Sequence, residues 1–296
     1  MSTPPPPAEA PTNWLPPDPN DRPAPVAPAS GRPLWSPITA IAIIPAALLG
    51  SLAAGLVIGI IAAIFGADLD DVPPSVSITA TYAQDIVFVV AVVLFASLRK
   101  PVFAWQFGLR STRLKPAIGW TALAFLAIFV FSLAWGVITG NTKAEKLPES
   151  LGVEESTAAL VATAVLVTIF APIAEEILFR GYVFPALRNW KGTWPAVALT
   201  GLLFGLLHVA SSPLYALAPL SVFGALLCLL YLRTRSLYPC IALHALNNCV
   251  AFGSAPDVGW DWQILPFAVA VMAVLTSLAW LVRQRFGPAP PELSPV

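Results

Sequence analysis

The sequence predicts an all-α fold, a polytopic membrane bundle of about eight transmembrane helices. Three observations carry that prediction. Apolar residues make up 57% of the 296 positions and charged residues only 11%, less than half of the roughly 25% charge usual in soluble domains. The apolar residues fall into long uninterrupted stretches, and the basic residues collect in alternate connections between them.

Eight apolar stretches lie near 38–66, 78–98, 117–139, 157–179, 194–210, 214–232, 239–254 and 263–282. An α-helix needs about 17–25 apolar residues to cross a hydrocarbon core of about 30 Å. The first begins too far along the chain and runs too long for the h-region of a secretory signal, so an uncleaved span is expected. The second lies between the Asp68, Asp70 and Asp71 cluster and Arg99-Lys100, and it carries Asp85 inside. The third follows Arg110, Arg113 and Lys115. The fourth follows Glu154-Glu155 and ends in a charged motif. The fifth and sixth are separated only by Ser211-Ser212-Pro213, the seventh is short, and the eighth closes on Arg283 and Arg285.

Flanking this unit are two segments of another kind. Residues 1–37 are rich in proline, with Pro4-Pro5-Pro6-Pro7 and Arg22-Pro23-Ala24-Pro25, and lack the aliphatic periodicity that buries a core. Residues 287–296 repeat that composition. Both are expected to be disordered tails, the first cytoplasmic, leaving 38–286 as one membrane domain without internal repeats.

Loop charge gives the orientation. With eight spans and both termini cytoplasmic, all of the 16 Lys and Arg residues except Lys143 and Lys146 fall on the cytoplasmic side, as the positive-inside rule requires. A multi-pass protein of the plasma or inner membrane is expected. Zero formal net charge gives no basic surface for a nucleic acid, and none is expected as a partner. Cys228, Cys240 and Cys249 match neither zinc-knuckle nor C-x-x-C spacing and read as packing residues.

Ionisable groups inside spans cost about 2.5–3.5 kcal/mol each on insertion scales, so each needs a partner, water or a task. The fourth stretch ends in Ala174-Glu175-Glu176-Ile177-Leu178-Phe179-Arg180-Gly181. Glu176 and Arg180, four apart, share a helix face and can pair. Glu175 diverges from that pair by 100° and is the carboxylate placed to act as general base for water. The plain alternative is a helix end with snorkelling charges.

The two histidines of the chain both lie in later apolar stretches. His208 stands one turn after Phe204, and Asn248 one turn after His244, so each pair shares a face. Singly, each histidine reads as a hydrogen-bonded core residue. Together with Glu175 they make the inventory for peptide hydrolysis: a base, proton carriers and donors to an oxyanion.

Two chemistries remain open. In one, Glu175, His208 and His244 bind zinc, with Glu176 or Asn248 assisting; in the other Glu175 activates water without metal, and His208 with Asn248 stabilises the oxyanion. The H-E-x-x-H signature that would decide for zinc is absent.

These residues resemble the CAAX-protease and bacteriocin-processing family, the type II CAAX prenyl endopeptidase-like intramembrane proteases. Three motifs match in order: E-E-x-x-x-R at Glu175, Glu176 and Arg180, F-x-x-x-H at Phe204 and His208, and H-x-x-x-N at His244 and Asn248. Gly181 and the Arg233-Thr234-Arg235-Ser236-Leu237 turn resemble the family too. The resemblance covers about 156–253. It implies an eight-helix membrane fold and endopeptidase activity, with Glu175 activating water and His208, His244 and Asn248 lining the site.

The expected activity is therefore hydrolysis of a peptide bond in a membrane-associated or lipidated polypeptide, in a polar cavity opening toward the cytoplasmic leaflet. A catalytically silent scaffold or immunity factor is the alternative, and a proton-coupled transporter a more distant one that predicts repeats not seen here. Asp85 is given a structural role, and the tryptophans near span ends an interfacial one. Because His208 lies 14 residues beyond Trp194, its meeting with Glu175 requires helices that project past the bilayer or bend near Pro172 or Pro213.

Overall fold

The computed structural model describes residues 35–68, 70–98, 102–140 and 147–286. Most of both Pro-rich segments, 1–34 and 287–296, lies outside the described residues. Every regular element among the described residues is helical. The eight expected stretches are helices: α1 Pro37–Ile64, α2 Pro74–Ser97, α3 Leu114–Thr139, α4 Thr157–Lys191, α5 Thr193–Leu207, α6 Leu217–Thr234, α7 Leu237–Gly253 and α8 Ile264–Phe286. Among the described residues six segments, counting α6 from Leu214, are long and apolar enough to cross a membrane. The fifth and seventh stretches form helices of 15 and 17 residues, shorter than a full crossing requires.

Burial orders the helices. In the most apolar window of α4, 44% of residues are buried, against 6% in α1 and 11% in α3 and α8, so α4 is the central rod. The others turn leucine, valine and isoleucine outward, as with Leu52, Val137 and Leu265, which is the surface that hydrocarbon requires. α2 and α7 pack on α4, α5 on α6, and α7 on α8.

At 35 residues and 1.5 Å per residue, α4 is about 52 Å long, well beyond a 30 Å core, as the expected projection demands. The helix does not stop at Phe179 but runs on to Lys191. Two of its turns, Leu166–Phe170 and Ile177–Val183, are π-helical. Each is followed within two residues by a proline, Pro172 or Pro185. Proline lacks the N–H of an intrahelical bond and crowds the preceding turn, and a widened turn accommodates it.

The carbonyls left over are used. Ala171 N donates to Leu166 O, five residues back, so the next carbonyl, Val167 O, meets the proline that cannot donate. Asn248 Nδ2 of α7 donates to Val167 O instead, at 2.8 Å. Near Pro185, the carbonyl of Gly181 accepts Trp35 Nε1 at 3.1 Å. Trp35, grouped by sequence with the N-terminal tail, stacks on Phe107 with 5.3 Å between ring centroids. Gly181 permits this approach, since a Cβ there would meet the Phe107 carbonyl at 3.2 Å.

α5 and α6 meet along a seam of small residues. A Cβ on Gly201 would lie 2.6 Å from Ser221 O, and one on Gly205 2.7 Å from Leu217 O. Glycine alone lets these backbones touch, the device common where helices pack without a hydrophobic drive between them.

The connection between α6 and α7 is fixed by a loop after α2. Leu237 N donates to Gly108 O at 2.8 Å, Thr112 Oγ1 to Thr234 O at 2.9 Å, and Ser236 Oγ to Arg110 O at 2.6 Å. Ser236 also caps α7, accepting from Tyr238 N. Arg235 turns the chain with φ of 53°. These bonds set the rotation of α7, and with it the directions of His244 and Asn248.

Candidate active site

The charged motif of α4 splits into two layers. Glu176 and Arg180 point into the core, both fully buried, with Nη1 donating to Glu176 Oε1 at 2.8 Å. Arg180 Nη2 donates to the Gly224 carbonyl of α6 at 2.7 Å. The guanidinium carbon lies 4.8 Å from the ring centroid of Phe204, a cation–π arrangement. This layer ties α4 to α5 and α6, and the seam of glycines is what brings Gly224 and Phe204 within reach.

Glu175 faces the other way, into a cavity of about 120 Å³. Its Oε2 lies 4.0 Å from His208 Nε2 and 4.0 Å from His244 Nε2. Both imidazoles are oriented from behind. His208 Nδ1 is 2.8 Å from Phe204 O, an acceptor only, so that nitrogen carries the proton. His244 Nδ1 is 2.9 Å from Glu176 Oε1 and donates to it in the same way. When neutral each ring presents a bare Nε2 toward Glu175, and when protonated an Nε2–H.

Phe204 holds the set together. Its ring centroid is 5.0 Å from that of His208 and 5.6 Å from that of His244, edge-on to the latter. Phe223 of α6 covers His244 from another side at 5.4 Å. Asn248 lines the cavity with Glu175 and both histidines, one amide hydrogen held by Val167 O.

Of the sequence-predicted site residues, Glu175, Phe204, His208, His244 and Asn248 line one cavity. Glu176 does not reach it: the side chain is fully buried beneath His244, where it orients an imidazole and neutralises Arg180. Arg180 supports the same layer. The adjacent Asn247 also lines the cavity, donating to Asn248 Oδ1 at 3.4 Å, and sequence reasoning missed it although it sits beside the H-x-x-x-N motif. Asp85, given a structural role from sequence, is 3% exposed, makes no hydrogen bond through Oδ2, and lies close enough to Glu175 for their charges to interact.

The cavity lies toward the end where α4 begins. Its lining includes Leu147 and Pro148 of the segment before α4, Ser211 after α5 and Ala255 after α7. Toward the arginine-bearing end Phe179, Arg180, Tyr182, Val183 and Phe184 are at most 1% exposed.

For a metal, the donor set is of the right kind, glutamate with two imidazoles whose Nδ1 atoms are held by a carboxylate and a carbonyl. Two ligands about 2.1 Å from a tetrahedral ion stand about 3.4 Å apart. The observed 4.0 Å is wider than that, and among the described residues no three His, Cys, Asp or Glu side chains already stand at metal-holding geometry. The donor types suit zinc in chemistry, and each Glu175–imidazole separation is about 0.6 Å wider than a tetrahedral ion sets.

Residues 157–250, which hold all three motifs and the whole layered site, match the family described as type II CAAX prenyl endopeptidase Rce1-like. This core is Rce1-like. The motif-bearing part of the chain thus matches the family of CAAX proteases that its residues resemble. Neither a curated protein nor a solved structure matches the chain.

Proposed function

We propose that this Rce1-like protein is an intramembrane endopeptidase that hydrolyses a peptide bond of a membrane-associated or lipidated polypeptide. The observation that carries the reading is the convergence of Glu175 Oε2 with two imidazole Nε2 atoms at 4.0 Å each. A water molecule hydrogen-bonding at about 2.8 Å to two such atoms spans that gap at an angle near 90°.

The steps follow from the chain's own groups. Glu175 takes a proton from the water as its oxygen attacks the scissile carbonyl carbon. The oxyanion that forms meets the second amide hydrogen of Asn248, and Nε2–H of His208 in its imidazolium form. Collapse breaks the C–N bond, and the proton on Glu175 passes to the departing amine. Glu176 and Phe204 O hold the imidazoles in place, and Arg180 compensates the buried charge of Glu176.

A second reading has its own observation in support. Histidines that ligate a metal usually donate their other ring N–H to a carboxylate or carbonyl, which is how His244 and His208 are held. Glu175, His208 and His244 would then hold zinc, which when bound supplies Lewis acidity and a more acidic water.

Purified protein in lipid vesicles, presented with a broad library of membrane-proximal peptides, tests the proposal. Cleavage by the wild-type chain and none by Glu175→Ala supports it. A library left wholly uncut by the wild-type chain overturns it in favour of a silent scaffold. Metal analysis with a chelator titration of the cleavage separates the two readings: stoichiometric zinc and chelator-sensitive activity favour the second, metal-free activity the first.

A further inference from the structure

The connections at the arginine-bearing end of the bundle, residues 99–116, 181–194 and 233–238, contain no aspartate or glutamate. The sidedness of membrane loops accounts for basic residues collecting there. It does not account for how two of them, Arg113 and Arg233, are held.

The start of α3 and the end of α6 are tied together through their backbones. Thr112 Oγ1 donates to Thr234 O at 2.9 Å and Ser236 Oγ to Arg110 O at 2.6 Å, and Arg110 Nε donates to Arg235 O. From this knot α3 and α6 pack side by side. Arg233, in the last turn of α6, lays its guanidinium over Trp120 of α3, the central carbon 4.7 Å from the ring centroid. Arg113, the residue that precedes α3, stands seven positions before Trp120. Seven residues turn a helix to within about 20° of its starting direction over a rise of about 11 Å, so Arg113 and Trp120 share a face.

All three side chains are exposed. Among the described residues neither arginine side chain has a hydrogen bond or ion pair, and the ring of Trp120 is the one contact of this kind that Arg233 makes. An aromatic face occupies the plane of a guanidinium and leaves its edge N–H groups free to donate in pairs to anionic oxygens. Deeper in the bundle the same surface is apolar. Leu229 and Leu226, four and seven residues before Arg233 on the same face of α6, are partly buried, and Leu123, one turn into α3 from Trp120, is exposed.

We infer that Arg113, Trp120 and Arg233 form a binding site for the phosphate of an anionic phospholipid whose acyl chains run along the α3–α6 face. Tryptophan at a span end sits at the level of the headgroups, and basic pockets between membrane helices hold such headgroups. A free phosphate ion would meet the same two guanidinium groups, but only a lipid also meets Leu123, Leu226 and Leu229. None of these residues lines the cavity of Glu175, so lipid binding here and peptidase activity are independent.

Native mass spectrometry tests the site on the full-length chain, delipidated in detergent and titrated with phosphatidylglycerol or with phosphatidylcholine of the same acyl chains. The wild-type chain binds one phosphatidylglycerol at least tenfold more tightly than phosphatidylcholine. Arg233→Gln, Arg113→Gln and Trp120→Leu each weaken that binding at least fivefold, the last without removing a charge. Arg283→Gln removes the same charge at the end of α8 and changes the affinity less than twofold. Arg233→Lys keeps the charge without the planar fork; it also weakens binding, and it reads out the site should the glutamine variant fail to fold. Equal affinity for the two lipids overturns the inference, as does a loss with Arg283→Gln as large as that with Arg233→Gln, which would mark diffuse attraction to the whole end. Displacement of the lipid by an equal concentration of inorganic phosphate assigns a free-anion site and overturns the lipid.

Discussion

Glu176 and His244 are joined by a 2.9 Å contact between Oε1 and Nδ1, and the same oxygen accepts Arg180 Nη1 at 2.8 Å. One buried carboxylate thus orients a cavity imidazole on one side and neutralises a guanidinium on the other. Glu175, one residue earlier on α4, stands in the cavity that Glu176 supports. The two neighbouring glutamates are separated in task by the helix rotation between them.

That division predicts opposite phenotypes. Glu176→Gln leaves Arg180 as a buried charge short of its partner, a change that costs about 3–5 kcal/mol in comparable buried pairs. It lowers the thermal midpoint in detergent strongly, and the double variant Glu176→Gln with Arg180→Met recovers part of the loss. Glu175→Gln, in a solvated cavity, leaves the midpoint nearly unchanged. Thermal unfolding of the four proteins measures the difference.

The α5–α6 seam predicts a steric effect. Gly201→Ala and Gly205→Ala push a methyl group onto Ser221 O and Leu217 O, at an overpacking cost of about 1–3 kcal/mol, and displace Phe204 and His208. Gly119→Ala, where a Cβ meets open space, is neutral or slightly stabilising. Unfolding midpoints and cleavage rates of the three variants check this; equal behaviour removes the seam from the account.

Much of this was legible in the sequence. The apolar stretches marked where eight helices lie, six of them among the described residues long and apolar enough to cross a membrane, and the four-residue spacings at Glu176–Arg180, Phe204–His208 and His244–Asn248 put the right side chains on shared faces. Spacing along one helix does not show what lies across from it, so Gly224 O as an Arg180 acceptor was invisible. Gly201 and Gly205 carried a readable small-xxx-small signal for the seam that brings them together. The dense packing of the run from Leu178 to Phe184 was equally invisible, because the partners of these side chains come from α6 and α7.

Pro172 predicts a subtler loss. Pro172→Ala restores a backbone N–H that competes with Asn248 for the Val167 carbonyl, freeing the amide to rotate away from the cavity. Cleavage falls while the unfolding midpoint holds. Asn248→Leu removes the donor outright and lowers the rate by about 10²–10³, the range for loss of one oxyanion donor. Steady-state cleavage in vesicles compares the two, and Pro172→Ala as active as wild type contradicts the competition.

The most direct test is the single-turnover rate of peptide cleavage by Glu175→Gln against wild type, in vesicles, with matched unfolding midpoints. Loss of the general base lowers the rate by about 10²–10⁴ without lowering the midpoint. A variant that is equally stable and cuts as fast as wild type would show that Glu175 does not activate the water.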